Sequence, residues 1–420
     1  VRIIGKSVPR HDIPAKVDGS AIFGIDAEVP GLKVATIEAA PVFGAKVASV
    51  NDTAARGMSG VVDVVQLDDA VAVVADGYWQ AKKALDAVEI RWTEPPQQAV
   101  TQAKIFEQFD RDMAQAVADG TEQEDVSRGD VNLGFAEAAT MVEATYRVPY
   151  LAHACMEPMN ATVAIADGRC QVWIGSQNPL GTRYSVAEAL EMEVESVDVH
   201  NHVMGGGFGR RATDDAAIQA AQIARAVGQP VKLIWSREED VRHDHYRPAI
   251  TSRFKAALDA NGVPLAWENQ YVDKHEPAEA PHIPYGIANQ HIHYTDSATH
   301  VPFGAWRSVD HSQHGFFTES FVDELAHAAE KDPYEFRRAL LADAPRHRSV
   351  LETAAKKAGW GSELAAGQGR GISLQESFGS IVAQVVDVTV QDGAVSVDRV
   401  VCAVDAGTAV TPDGLAAQME

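Results

Sequence analysis

Gly205-Gly206-Gly207-Phe208-Gly209-Arg210-Arg211 decides how the fold is interpreted, because it stands between a predicted strand and a predicted helix. The strand covers 197–204, and the helix runs over 214–227 with Thr213 as its cap. Four glycines in five residues exceed what a tight turn needs, and they allow close backbone approach and positive φ. Free N–H groups ahead of a helix favour an anionic or oxo group, to which the two arginines would add positive charge. We therefore expect a binding loop here.

The same loop fits a second motif. Gly207-Phe208-Gly209-Arg210-Arg211-Ala212 satisfies G-x-G-x-x-G/A between a strand and a helix, which is typical of a dinucleotide-binding turn. However, arginines stand where small residues usually admit the pyrophosphate, and the acidic cluster Glu238-Glu239-Asp240 lies nearer thirty than twenty residues on. A dinucleotide-binding module that uses Gly207–Ala212 stays open as the alternative function.

Outward from the loop, strand and helix patterns alternate, which is typical of a mixed α/β (α+β) fold. Upstream, short strand patterns surround a helix at 78–86, and Glu94-Pro95-Pro96-Gln97-Gln98 ends this small α/β unit. The acidic stretch from Thr101 to Asp130 shows two helical turns. The predicted division is a small α/β domain at 1–95, a connector at 96–135 and a larger domain at 136–420.

Composition and charge exclude several classes of protein. The 420 residues are 46% hydrophobic with a net charge of −23, so the chain is globular and repels nucleic-acid phosphates. Three cysteines form neither a disulfide framework nor a C-x-x-C pair. No apolar run is long enough to span a bilayer, and the first ten residues lack a signal-peptide core. The compartment, cytoplasmic or periplasmic, stays open.

Other candidate sites are weaker. His291 and His293 could share one face of a strand, but no H-E-x-x-H, cysteine or nearby carboxylate accompanies them, so we expect no metal ligands. Arg307 lies in a Gly/aromatic loop ahead of a helix, where a planar guanidinium could hold an oxyanion. Taken alone, that stretch favours a surface arginine. No serine stands in a G-x-S-x-G elbow, which argues against a hydrolase.

Taken in order, these segments resemble the large, molybdenum-binding subunit of the xanthine oxidase family, in particular its isoquinoline 1-oxidoreductase beta-subunit branch. The segments that carry the resemblance are Ala15-Lys16-Val17-Asp18-Gly19 with Phe23-Gly24, Met156-Glu157-Pro158, Ser176-Gln177-Asn178-Pro179, Gly205–Gly209, Ala305-Trp306-Arg307, and Asp405-Ala406-Gly407-Thr408 with Thr411-Pro412. Each is modest alone, but their common order over nearly the whole chain is specific. The resemblance implies a hammerhead domain followed by a molybdopterin-binding domain.

The resemblance also implies roles for single residues. Gln177 would donate to an oxo ligand of molybdenum, Phe208 and Gly209 would lie against the metal's oxo face, and Arg307 would stabilise charge on the substrate. The cofactor-binding residues expected in this way are Gln177, Gly206, Gly207, Phe208, Gly209 and Arg210. The implied cofactor is molybdopterin, in its cytosine dinucleotide form, with molybdenum. The implied substrate is an aldehyde or an N-heteroaromatic compound, and a separate 2Fe–2S subunit would take the electrons, since three scattered cysteines cannot ligate a cluster.

The chain departs from the family pattern in three places. Trp306 replaces a phenylalanine, and Ala212 stands where some relatives carry a glutamate, which argues against purine orientation of the xanthine type. The family's general base is a glutamate in a G-x-G-E segment, and no such segment occurs here. Loss of a general base costs about 10²–10⁴-fold in rate. We therefore expect the central part of a subunit that does not turn over alone and that could lack its cofactor.

Overall fold

The structure is a computed structural model that describes residues 2–97, 99–273 and 279–420. Gln98, at the end of the predicted proline break, and His275 lie outside the described residues. The α-helices of the described part are α1 Ile13–Asp18, α2 Thr53–Arg56, α3 Tyr78–Leu85, α4 Gln102–Asp119, α5 Val131–Ala136, α6 Pro179–Ala189, α7 Asp215–Val227, α8 Arg237–Arg242, α9 His311–Ala328, α10 Pro333–Leu340, α11 Pro345–Ala358 and α12 Pro412–Met419.

The strands of the same part confirm the predicted mixed α/β class. They are β1 Lys33–Ala39, β2 Val47–Asn51, β3 Val61–Gln66, β4 Ala70–Ala75, β5 Glu89–Trp92, β6 Gln123–Arg128, β7 Thr140–Val148, β8 Asn160–Ala166, β9 Arg169–Ile174, β10 Val197–Asn201, β11 Val231–Ile234, β12 Ile250–Leu258, β13 Pro264–Asp273, β14 Asn289–Asp296, β15 Gln368–Ser377, β16 Ser380–Gln391 and β17 Ala394–Asp405. Among the described residues no helix combines the length and the apolar character needed to cross a bilayer.

A seven-stranded sheet places the loops that matter for function. Its order is β10-β9-β8-β11-β1-β4-β3. β10 runs parallel to β9, β8 runs antiparallel to both of its neighbours, and β11 runs parallel to β1. The carboxyl ends of β9, β10 and β11 therefore lie at the same edge as the start of β8. Ligands of α/β sheets bind at such an edge.

Helix α7 packs against this sheet through small side chains. The buried face of the helix consists largely of alanines, which let its axis approach β8 closely: Ala216, Ala217, Ala220, Ala221 and Ala224. The helix begins at Asp215 after Asp214, whose side chain makes no cap hydrogen bond. The predicted cap by Thr213 is wrong, because the Thr213 hydroxyl donates to the carbonyl of Arg210 instead.

The sheet also crosses the predicted domain boundary. β1, β3 and β4 come from residues 33–75, whereas β8 to β11 come from residues 160–234, and β1 pairs with β11 at Lys33 and Val231. The division into 1–95, 96–135 and 136–420 stays a prediction. A hammerhead domain that is separate in sequence would nevertheless share one sheet with the region that follows it.

The second sheet is five-stranded, in the order β6-β14-β13-β12-β7. One face packs on α9 through Phe254, Trp267 and Phe321, which belong to the largest hydrophobic core. Residues 101–130 contain more than the two predicted helical turns: they form the 18-residue helix α4 followed by edge strand β6. The reason is an apolar stripe with helical spacing, Ile105, Phe109, Met113 and Ala116, which is buried.

A three-stranded sheet, β15-β16-β17, lies near the carboxyl end of the described chain. The sequence Gln391-Asp392-Gly393 between two strand patterns predicts a hairpin turn. The prediction is confirmed: β16 and β17 are joined through Asp392 and Gly393, whose φ angles are +52° and +77°. Two positive φ angles are the signature of the type I′ turn, and they match the right-handed twist of the strands.

Candidate functional site

Four segments from the sequence analysis meet at the ligand-binding edge of the seven-stranded sheet. The backbone N–H of Glu157 donates to Gly205 O (3.0 Å), and that of Gln177 donates to Arg211 O (2.8 Å). A Cβ placed on Gly209 would lie only 1.9 Å from Ala305 O, so the glycine loop touches the loop of Arg307. Segments 156–158, 176–178, 205–211 and 305–307 therefore form one structural unit.

Close packing explains why the loop is rich in glycine. Gly206 and Gly209 have φ angles of +104° and +108°, a region that residues with a Cβ rarely adopt. A Cβ on Gly205 would come within 2.5 Å of Glu157 Cβ, and one on Gly207 within 2.7 Å of Gln177 Oε1. The glycines are thus required by the neighbouring loops. This accounts for the excess over what a turn needs without reference to any ligand.

Arg211 lies beneath the loop and ties three segments together. Its side chain is 1% exposed and donates to the carbonyls of Gly206 (2.9 Å), Glu157 (2.9 Å) and Gly175 (3.3 Å). One guanidinium nitrogen also lies 3.2 Å from Glu157 Oε2. The guanidinium of Arg211, which was expected to face a ligand, therefore binds groups of the protein itself.

The carboxylate of Glu157 completes this arrangement. It accepts hydrogen bonds from Ile25 N (2.9 Å), Asn160 Nδ2 (2.9 Å) and Gly205 N (2.7 Å). Ile25 belongs to a short 3₁₀ turn, Gly24–Asp26, so residues near the amino end of the chain are attached to the glycine loop. Glu157 acts as a buried anchor rather than as a group aimed at solvent.

Arg210 is also buried, and its donors face carboxylates. Nη2 is 2.7 Å from Asp215 Oδ2, Nη1 donates to Thr213, and Nε is 3.0 Å from Asp244 Oδ1. The side chain is 1% exposed, and its guanidinium lies over the ring of Trp235. Its backbone is also paired, because Arg210 N donates to Gly207 O (2.9 Å) and Arg210 O accepts from the Thr213 hydroxyl (2.8 Å). Its predicted contact with a cofactor stays a prediction. We call Glu157, Arg210 and Arg211 the underside of the loop.

The electrostatics of the underside follow from burial and pairing. Burial alone would raise the pKa of Asp215, but the adjacent Arg210 guanidinium outweighs it and holds that pKa below its usual value. Burial raises the pKa of the Cys155 thiol, whose Sγ donates to Gly207 O at 3.4 Å. Cys155 is therefore a neutral packing residue and not an activated thiolate.

His153 and Asp244 are structural partners that sequence reasoning missed. The His153 ring is fully buried, with Nδ1 3.0 Å from Asp244 Oδ1 and Nε2 2.9 Å from Ala305 O. The same ring packs on Trp306 at 4.4 Å between centroids. Because Asp244 also faces Arg210, this pair connects the underside to the Arg307 loop. No local signal could have found the pair, since its members are 91 residues apart.

The outer side of the loop, which we call the rim, consists of Gln177, Phe208 and Arg307. Phe208 is 46% exposed and has a φ angle of +55°, and Arg307 is exposed with one side-chain partner, Gln418 Oε1 at 2.8 Å. A cavity of about 380 Å³ lies here, lined by His153, Phe208, Trp306, Arg307 and Ser308. The structure therefore brings Phe208 and Arg307 together at one open cavity, and Gln177 is attached to the same loop through Gly209.

The rim offers hydrogen-bond donors. Gln177 Oε1 accepts from Gly209 N at 3.0 Å, which leaves the amide nitrogen as a donor with no acceptor among the described residues. Within that same part of the chain, the backbone N–H groups of Gly206, Gly207 and Phe208 also have no acceptor. A row of free N–H groups suits an anionic or oxo group.

A larger cavity, about 830 Å³, lies between α7 and residues 44–46 and 65–69. Its wall mixes Lys46 and Arg225 with Asp68 and Asp69, and it contains none of the rim residues. We place the site at the smaller cavity because Phe208 and Arg307 line it, and because the donors of Gln177, Gly206 and Gly207 belong to the loops that pack beside it.

Comparison with solved structures defines the class of fold. The chain is similar to quinoline 2-oxidoreductase from Pseudomonas putida 86, with a TM-score of 0.69 and 19% identity over 88% of this chain and 57% of that one. At this level of identity the likeness shows the fold alone, which is that of molybdenum hydroxylase large subunits.

Comparison of sequences then gives the family. Residues 113–341 match the family model described as the molybdopterin cofactor-binding domain. Curated relatives include isoquinoline 1-oxidoreductase subunit beta of Brevundimonas diminuta, 31% identical over 100% of this chain and 57% of its own length. Another is the membrane-bound aldehyde dehydrogenase [pyrroloquinoline-quinone] of Gluconacetobacter polyoxogenes, 30% identical over 100% of this chain and 61% of its own length. The chain belongs to the molybdopterin cofactor-binding domain family, which confirms the predicted xanthine oxidase relationship, and it spans about three fifths of these relatives.

Proposed function

We propose that the complete protein is a molybdenum hydroxylase that oxidises an aldehyde or an N-heteroaromatic compound with oxygen derived from water. The observation that supports this is the packing of four motif segments against one another, with a cavity between the glycine loop and the Arg307 loop, and with donors of Gln177, Gly206 and Gly207 that have no acceptor among the described residues. The names of the two curated relatives, an isoquinoline oxidoreductase and an aldehyde dehydrogenase, agree with that range of substrates. The proposal concerns the whole protein, of which this chain supplies the central scaffold.

The residues present fit molybdopterin with molybdenum, and we propose the cytosine dinucleotide form of this cofactor. The amide nitrogen of Gln177 would donate to an oxo group, and the N–H groups of Gly206 and Gly207 would donate to anionic parts of the cofactor. The exposed ring of Phe208 would lie against the cofactor and exclude water. The group would supply a redox-active metal that accepts the two electrons removed from the substrate C–H bond.

Arg307 is the catalytic residue in this proposal. It borders the same cavity as Phe208 and Trp306, and its single side-chain partner among the described residues is the neutral amide of Gln418. In the part of the chain that the structure describes, no carboxylate pairs with this guanidinium, so its fork can hold negative charge that develops on the substrate. The buried contact of His153 with Ala305 O keeps the loop of Arg307 in place.

Two further parts of the proposal concern what surrounds this chain. Electrons would leave to a 2Fe–2S subunit, since Cys155, Cys170 and Cys402 are scattered and the first two are buried. The 420 residues contain no G-x-G-E segment to act as general base, so we propose that they do not turn over alone.

The test is the cofactor content of the complete protein, purified together with its partner. We expect about one molybdenum per large subunit, a fluorescent pterin after oxidation, and CMP on hydrolysis. Gln177→Ala and Phe208→Ala should alter the molybdenum EPR spectrum, whereas Gln171→Ala, on an exposed position of β9, should not. Protein without molybdenum or pterin would refute the proposal. A pyrroloquinoline quinone in place of pterin would move the chain to a different class of dehydrogenase.

A dinucleotide-binding role for Gly207–Ala212 is less favoured by the geometry. The start of α7, where a pyrophosphate would lie, carries two carboxylates. Asp214 accepts from the hydroxyls of Thr182 (2.6 Å) and Ser185 (2.9 Å), and Asp215 pairs with Arg210. Calorimetric titration with NAD, NADP and FAD distinguishes the two functions, because the hydroxylase proposal predicts no heat of binding by this chain.

A further inference from the structure

Three side chains with metal-ligand chemistry lie on one face of the five-stranded sheet, away from the glycine loop. β13 and β14 pair in parallel with Glu268 opposite His291. Since strand residues alternate between faces, His293 lies on the same face as His291. The nearest ligand atoms of Glu268, His291 and His293 all lie within 4.8 Å of one another. No carboxylate accompanies these histidines in sequence, and the pairing with β13 supplies one.

The surroundings of His293 are unusual for a buried polar group. Its side chain is 3% exposed, and neither ring nitrogen has a hydrogen-bond partner among the described residues. Nε2 lies 3.7 Å from Glu268 Oε1, which is too far for a hydrogen bond, and Nδ1 of His291 lies 3.7 Å from the same oxygen. Buried polar groups are nearly always paired, so an unpaired histidine beside a second histidine and a carboxylate needs an explanation.

We propose that Glu268, His291 and His293 bind a divalent transition-metal ion, with Zn²⁺ favoured. Two imidazoles and one carboxylate are a ligand set that zinc uses, and they leave the fourth tetrahedral position to water. Zinc–ligand bonds near 2.1 Å place tetrahedral ligand atoms roughly 3.4 Å apart, close to the 3.7 Å that separates each histidine nitrogen from Glu268 Oε1. The two imidazole rings are stacked with their centroids 4.4 Å apart, so both rings would have to rotate for their nitrogens to point at one ion. The ion would give one ring nitrogen of His293 a partner and would link β13 to β14.

Nearby cations limit the affinity. A cavity of about 440 Å³ on this face is lined by Glu268, His293, Arg253 and Lys255, among others. Arg253 is paired with Asp110 at 2.9 Å, and Lys255 lies 3.8 Å from Glu143, so both positive charges are partly balanced. With one carboxylate ligand and two cations close by, we expect binding in the micromolar range.

The site is independent of the proposed function, because none of its three residues borders the cavity at the rim. The experiment is a titration of the metal-free chain with Zn²⁺ against a chromophoric chelator, for the wild type, His291→Ala and Glu268→Gln. His327→Ala is the matched control, since that histidine is exposed on α9. We expect both site variants to bind one equivalent fewer than the wild type and the control.

Two further measurements keep the result unambiguous. Saturating zinc should raise the Tm of the wild type and of His327→Ala by about 2 °C or more, and should leave the site variants unchanged. Co²⁺ should give tetrahedral d–d absorption bands in the wild type and in His327→Ala, but not in the two site variants. Circular dichroism without metal checks that each variant folds. If His291→Ala does not fold, Glu268→Gln still tests the site, because glutamine has nearly the same shape as glutamate. Equal zinc stoichiometry in all four proteins, or no binding by the wild type at tens of micromolar, would overturn the proposal.

Discussion

The underside and the rim of the glycine loop are built from neighbouring residues, yet they differ in burial and in whether their polar groups are paired. Glu157, Arg210 and Arg211 are buried, and each charged group has a partner within the protein. Glu157 accepts from backbone N–H groups, Arg211 donates to backbone carbonyls, and Arg210 pairs with a carboxylate. Gln177, Phe208 and Arg307 are exposed and keep donors or ring faces open. The difference indicates that contacts within the protein fix the shape of the loop, while its outer side is left open for a ligand.

The comparison predicts that substitutions beneath the loop lower stability, whereas substitutions on the rim lower function. The largest effect is expected for Arg211→Ala, which would leave Glu157 buried without its cation. Removing one partner of a buried pair costs about 3–5 kcal/mol. Chemical denaturation should show the loss. Arg169→Ala is the control, because Arg169 pairs with Asp198 on the surface and should change stability by less than about 1 kcal/mol. Equal losses in the two variants would remove the distinction between underside and surface.

Arg307→Ala should give the second largest effect, in turnover rather than in stability. A donor that acts on transition-state charge is worth roughly 3–4 kcal/mol, or about 10²–10³-fold in kcat of the complete enzyme. Substrate affinity and molybdenum content should change little. Arg307→Lys should recover only part, because an ammonium lacks the planar fork. Arg169→Ala, again an exposed arginine with a single side-chain partner, should leave turnover unchanged. Turnover within about twofold of wild type for Arg307→Ala would make Arg307 an ordinary surface residue.

Gly209→Ala tests the contact between the two sides. The new Cβ would face Ala305 O at 1.9 Å and would sit at a φ angle of +108°. We expect a loss of at least about 2 kcal/mol from strain and displacement of the Arg307 loop. Gly168→Ala has a similar positive φ, +75°, but meets no atom within 4 Å. The difference in unfolding free energy between the two variants measures the clash together with the extra backbone strain at +108°, and a difference near zero would mean that the loops do not touch.

How much of the fold and of the candidate site could be predicted from the sequence depends on how far apart in the chain the contacting residues are. The strand and helix that flank the glycine loop and the Asp392-Gly393 turn depend on adjacent residues, and these elements are present, although the strand ends at Asn201 and Thr213 does not cap the helix. The directions of Arg210 and Arg211 depend on Glu157, Asp215 and Asp244, most of which are far away in the chain. A sequence pattern records that an arginine is present but not which side of a loop its guanidinium occupies.

Residues 101–130 show a different kind of error. Their acidic composition suggested only two helical turns, although Ile105, Phe109 and Met113 repeat with helical spacing and are buried along one 18-residue helix. That signal was available in the sequence and was outweighed by charge. The contact of His153 with Asp244, by comparison, had no local signal of any kind.

The smallest expected effect concerns pH. Because Arg210 lowers the pKa of Asp215 against the opposing effect of burial, the pair adds stability above the unfolded pKa, about 4, and loses it as pH falls through the lower folded value. Asp215→Asn should cost about 1–1.5 kcal/mol at pH 7. Urea denaturation at pH 7 and pH 3 should show that the difference from wild type shrinks at the lower pH. A constant difference would assign the contribution to packing and not to charge.

The shared seven-stranded sheet has a consequence for how the chain is made. On the ribosome, Lys33 emerges about 200 residues before its partner Val231, which at about 5–20 residues per second is a delay of roughly 10–40 s. During that interval β1 can pair with β4 but keeps its other edge open. Open strand edges recruit other chains. A nascent chain that pauses before β11 therefore exposes a free strand edge at which aggregation can begin. We expect chaperones to protect this edge of β1 until translation reaches residue 231.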